Sequence, residues 1–113
     1  MDFPIDIGSY VNLKLNGKEK LSKNELDILS KNINLVRDAV IATTAFARAK
    51  GLGGHTGGPY DIVPETLIVD SLRDGGIKIH DEFFDEAGHR SALQYVRGVV
   101  RGKMDSEKLL HYR

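Results

Sequence analysis

The 113-residue sequence predicts a mostly α-helical domain, with three to four helices and at most one or two short strands. Three observations carry this reading. Ser22-Lys23-Asn24-Glu25 has the form of a capping box, with serine at the N-cap and glutamate at the third helical position. Apolar residues then recur at helical spacing in several separate runs. Glycine stands where each of those runs stops, the place of a left-handed C-terminal cap.

The elements follow in order. Residues 1–21 form an N-terminal arm. Within it Val11-Asn12-Leu13-Lys14-Leu15 alternates before Asn16-Gly17, which fits a strand entering a turn or a loosely attached segment; the loose arm is the reading preferred. The first helix runs from about residue 23 to 49, with Leu26, Leu29, Ile33, Val36, Val40 and Ala47 on one face and a bend expected near Asn32 or Asn34. Its second half, residues 39–47, is apolar on nearly all sides, which predicts burial and, in so short a chain, a partner chain. Pro64 suits the first turn of a second helix that continues to Arg73, with Leu67, Ile68 and Leu72 on one face. Ile77-Lys78-Ile79, extended by Phe83-Phe84, reads as a short strand. A third helix spans 87–101, with Ala92, Leu93, Tyr95, Val96, Val99 and Val100 apolar, and Gly102 stops it. Asp105 caps a last short helix through Tyr112.

Composition narrows the function classes. Sixteen basic and sixteen acidic residues leave no net field of the kind that draws nucleic acid or an anionic membrane. The chain has no cysteine, which excludes disulfide scaffolds and thiolate metal sites and agrees with a reducing, cytoplasmic setting. Met1-Asp2-Phe3-Pro4-Ile5-Asp6 lacks the basic and apolar regions of a signal peptide, and no run approaches the roughly 18 apolar residues of a membrane span.

Chemistry concentrates in Gly51-Leu52-Gly53-Gly54-His55-Thr56-Gly57-Gly58-Pro59-Tyr60-Asp61, between the first two helices. Glycine lets a ligand approach the backbone closely, and histidine is the acid–base group of neutral pH. His55 and His89 each follow a glycine; His80 and His111 lie among charged residues and read as surface. No lysine follows the glycines as a phosphate-binding loop requires, and Gly51, Gly53 and Thr56 break the dinucleotide pattern. Glu86-Ala87-Gly88-His89 has the spacing of one metal-binding pair, but only one copy exists, so a solvated acidic loop is the plainer reading and no metal is assigned.

Residues 49–59, Ala-Lys-Gly-Leu-Gly-Gly-His-Thr-Gly-Gly-Pro, resemble the first histidine motif of transketolases, Ala-Lys-Ser-Gly-His-Pro-Gly-Ala-Pro. Phe84-Asp85-Glu86-Ala87-Gly88-His89-Arg90 resembles the second, Leu-Ser-x-Gly-His-Gly. The resemblance extends over residues 22–113, is closest to a divergent branch of that family, and implies the first part of the α/β thiamine-diphosphate-binding fold. It implies thiamine diphosphate and magnesium as cofactors and two-carbon ketol transfer between sugars as the activity. By the family's pattern His55 is the catalytic residue, near the reacting carbons, with Gly54 allowing close approach; Gly88 and His89 face the cofactor diphosphate. Thr56 replaces a proline of the family, and Arg90 replaces a small residue, where it either pairs with a phosphate or fills cofactor space.

The family's Gly-Asp-Gly and later Asn, which anchor metal and diphosphate, do not occur in these residues, nor does the domain carrying the glutamate that activates the cofactor. The expectation is therefore an N-terminal fragment or subunit of a transketolase-like enzyme, not catalytic alone and not retaining the cofactor alone. A homo-oligomer or a complementary chain carrying the rest of the fold is the expected partner. The alternatives are a non-catalytic oligomeric binding or assembly module derived from that fold, and a truncated product.

Overall fold

A computed structural model describes residues 2–17, 20–79 and 90–111. Among the described residues it is mostly helical, with no strand: α1 (Lys23–Ala49), α2 (Gly57–Asp61), α3 (Val63–Asp74) and α4 (Ser91–Val100), with 3-10 helices at Ile7–Ser9 and Ser106–Leu110. The mostly α class and the bounds of α1 agree with the sequence. Ile77-Lys78-Ile79 is not a strand. Phe83, Phe84 and the start of the helix expected from residue 87 lie outside the described residues. No helix among the described residues is long and apolar enough to cross a membrane.

α1 is the axis on which α2, α3, α4 and the C-terminal 3-10 helix all pack. Its start is the full capping box: the Glu25 amide donates to Ser22 Oγ at 3.1 Å and the Ser22 amide to Glu25 Oε1 at 2.8 Å. Its end is a Schellman turn. Gly51 takes φ 76°, its amide donates to the Arg48 carbonyl at 2.9 Å, and the Leu52 amide reaches back to Ala47 at 3.0 Å. α3 and α4 end in the same way at Gly76 and Gly102.

The core is one cluster. Leu29, Val36, Ala39, Val40 and Ala47 of α1 meet Val63 and Leu67 of α3, Ala92, Leu93, Val96 and Val99 of α4, and Leu109. Fully burying a side chain of this kind contributes roughly 1.5–3 kcal/mol. The apolar second half of α1 finds most of its cover inside the chain: Val40, Thr43, Thr44 and Ala47 are buried, and Phe3 packs on Phe46 with ring centroids 6.3 Å apart. Ile41 points outward at 47% exposure, so the need for a partner chain that the sequence suggested is much reduced. Leu26 and Ile68, placed on buried faces by spacing, are also exposed.

The N-terminal arm is anchored rather than loose. Leu13 and Leu15 are buried while their neighbours face solvent, an alternation without a sheet. Asn32 is the anchor from α1: its Nδ2 donates to the Val11 carbonyl at 2.7 Å and its Oδ1 accepts the Val11 amide at 3.1 Å. The Leu15 amide donates to the Ser71 carbonyl at 2.9 Å. There the arm crosses the end of α3 so closely that a Cβ on Gly75 would lie 1.7 Å from the Leu15 carbonyl oxygen.

Candidate functional site

The glycine–histidine loop begins where the Schellman turn releases the chain from α1, and it soon folds back. Thr56 Oγ1 donates to Thr44 Oγ1 at 2.8 Å, and Thr44 in turn donates to a carbonyl of its own helix, Val40 at 2.9 Å or Ile41 at 3.0 Å. The chain then forms α2, which the sequence did not suggest because its first two residues are glycine. Tertiary contacts supply what propensity lacks. Arg37 of α1 lies over the Tyr60 ring, 4.5 Å from its centroid, and its Nε donates to the Tyr60 carbonyl at 3.2 Å. Thr44 and Arg37 stand about two helical turns apart on α1, so the loop is held against the helix at two levels.

Within this frame His55 is exposed and Gly54 half-buried. Cβ atoms built on Gly53 and Gly57 would meet nothing within 4 Å, and neither residue has a positive φ. No contact within the described residues therefore requires glycine at these two positions; they border open space. Arg48, Gly51, Leu52 and Gly53 line an open hollow of about 390 Å³. Arg90 is the half-buried N-cap residue of α4, and α4 packs against α2, the helix that follows His55. Gly88 and His89 lie outside the described residues.

The loop sits beside the C-terminal 3-10 helix as well. Lys50 Nζ donates to the Leu110 carbonyl at 2.5 Å and lies 3.0 Å from His111 Nδ1, while Thr43 Oγ1 donates to the Leu109 carbonyl at 2.5 Å. His111 is exposed, in line with its surface reading, but it also meets this lysine. Of the side chains that build the loop's setting, Lys50 and Thr56 fall within the quoted motif, whereas Arg37, Thr43 and Thr44 carried none. The only signal of these three was polar residues interrupting an apolar helical stripe.

A second polar cluster ties α3 to α4. Asp70 is 2% exposed and accepts from Arg97 Nε at 2.8 Å, Arg97 Nη2 at 2.6 Å and Arg73 Nη1 at 3.1 Å. One turn on, Asp74 accepts two hydrogen bonds from Arg101, at 2.8 and 3.0 Å. These hydrogen bonds hold the Asp74 carboxyl below its usual range and raise the Arg101 guanidinium. Tyr10, half-buried, has its hydroxyl raised by burial first and by the negative charge of Asp70 second. Sequence spacing held a clue here, since 70 and 74 on one helix match 97 and 101 on the next. The cluster is nearly closed off by its own pairings, and its chemistry is that of an interhelical clamp.

Magnesium would need several oxygen ligands in one place. Among the described residues no group of three histidine, aspartate or glutamate side chains can hold a metal ion. An acidic hollow of about 690 Å³ lined by Asp2, Asp6, Asp105 and Glu107 lacks that convergence. The open space at Gly53 and Gly57 leaves room beside the loop for a group from outside the chain. No family model matches the chain, and no curated protein or solved structure is significantly similar to it.

Proposed function

We propose that this chain is a transketolase-like segment that contributes the His55 loop to a thiamine-diphosphate site completed by another polypeptide. The observation that carries the reading is the loop's form: an exposed histidine between Gly53 and Gly57, which border open space, on a backbone held to α1 at both ends. Gly53 and Gly57, which no contact among the described residues requires to be glycine, are explained by a group approaching the backbone from outside. Histidine at that place supplies a hydrogen bond to a sugar hydroxyl or alkoxide, a role suited to ketol transfer. By the resemblance, metal and diphosphate anchoring and the activating glutamate belong to residues other than these. No step through the cofactor belongs to this chain alone.

The test is ketol transfer between a ketose phosphate and an aldose phosphate. The chain is combined with a polypeptide that carries Gly-Asp-Gly and the glutamate domain, with thiamine diphosphate and magnesium present. Activity in the mixture, absent from either component and reduced by about 10²-fold or more in His55→Ala, supports the reading. Equal activity with and without this chain, or an undiminished His55→Ala mixture, overturns it.

A further inference from the structure

We propose that Thr44 and Thr56 are positioning residues for His55, a hydroxyl latch that fixes the loop. The inference rests on the reading of His55 as the residue that meets substrate. Three observations carry it. Thr56 is the N-cap of α2, where a threonine side chain ordinarily accepts from an amide of the first helical turn; here it makes no such bond. Its hydroxyl instead donates to Thr44 at 2.8 Å. Thr44 is 3% exposed, with its own proton directed to a backbone carbonyl of α1, so its lone pair is left to accept from Thr56. A buried hydroxyl with an unmet lone pair is costly, which gives the bond a value above that of an exposed one.

The geometry of the span supplies the rest. Leu52 is fixed to α1 by its amide bond to Ala47, and Thr56 is fixed to α1 through Thr44. Only Gly53, Gly54 and His55 lie between these points. Two adjacent glycines have more backbone freedom than any other pair, and the Thr56–Thr44 bond narrows the arc open to the backbone of residues 53–55. Tyr60 over Arg37 holds the far side of α2 and cannot replace a tether at residue 56. Thr56 also starts α2 with its carbonyl, which accepts the Tyr60 amide at 2.9 Å, so the latch and the helix start share one residue.

The test compares Thr56→Val, Thr56→Ser, Thr44→Val and Thr44→Ser by NMR on the full chain, without cofactor. Amide hydrogen exchange is followed at Tyr60, whose amide donates to the Thr56 carbonyl at 2.9 Å, ¹⁵N relaxation at Gly53, Gly54 and His55, and ¹³C relaxation at the His55 imidazole. Thr56→Val and Thr44→Val are expected to speed exchange at Tyr60 about fivefold, the factor matching a net hydrogen bond of about 1 kcal/mol, and to lower the order parameters at residues 53–55. Both serine variants, which keep the hydroxyl, are expected to stay near the parent. Amides of α1 from Leu29 to Val36 serve as the folding control and should not change. Valine variants that match the parent at residues 53–55, or serine variants that behave like valine, overturn the latch. The functional reading fails separately: normal latch behaviour beside an inactive two-chain mixture refutes that reading and leaves the latch standing.

Discussion

Replacing Asp70 by asparagine tests the clamp between α3 and α4. Asp70 is 2% exposed and receives two bonds from Arg97, a third from Arg73, and the charge of Arg101 at 3.7 Å. Asparagine keeps the shape and one acceptor oxygen but removes the buried negative charge on which Arg97 and Arg73 converge. Breaking a buried pair in this way costs about 3–5 kcal/mol. Arg97 keeps 14% of its side-chain surface in water, which favours the lower end, about 3 kcal/mol. With an unfolding entropy near 2 cal/mol/K per residue, that lowers the midpoint of thermal unfolding by roughly 13 °C. The assay is far-ultraviolet circular dichroism during heating and in urea, where the urea midpoint should fall at constant slope. Replacing the pair together, Asp70→Leu with Arg97→Met, should recover most of the loss, because it removes the buried charge along with its partner. A fall of less than about 3 °C for Asp70→Asn would refute the assignment of the clamp as a buried, desolvated ion pair.

Three more predictions come from the same packing. Gly98 lies inside α4 without a positive φ, and a Cβ there would touch Met104 Cε at an ordinary 3.5 Å; Gly98→Ala should stabilise the fold by about 0.5–1 kcal/mol in urea unfolding, and a loss would show that the contact is tighter than it looks. Gly75→Ala forces a Cβ to within 1.7 Å of the Leu15 carbonyl oxygen, so the arm or the end of α3 has to move; a cost of about 1–3 kcal/mol and faster exchange at the Leu15 amide are expected, and parent-like behaviour would contradict the crossing. Hydrogen bonds from Arg101 lower the Asp74 carboxyl from 3.8, so its contribution is complete above about pH 4 and is lost as pH falls through the depressed folded value. Asp74→Asn should therefore flatten the acid side of the stability profile, and an unchanged acid limb would count against the pair.

α1 was legible because local signals agreed: a capping box, a helical apolar stripe and a terminal glycine all mark residues 23–49. Asn32, Thr43 and Thr44, buried in that stripe, were not legible as partners, because each is satisfied by a segment distant in the chain or by a backbone carbonyl. The arm looked loose for the same reason; alternation in Leu13 and Leu15 revealed a buried side but not what lay beneath it. α2 contradicts glycine's local preference and exists through Thr56 and Arg37. The glycines around His55 were readable as a loop between two helices, while the tether of Thr56 to Thr44 depended on a fold-back that spacing does not encode.

The central claim is that this chain brings a histidine loop but no cofactor anchor. Isothermal calorimetry with thiamine diphosphate and magnesium tests it most directly, first on the chain alone and then with its Gly-Asp-Gly-bearing complement. The account predicts no measurable binding by the chain alone and saturable binding by the combination. Micromolar binding by the chain alone would contradict it.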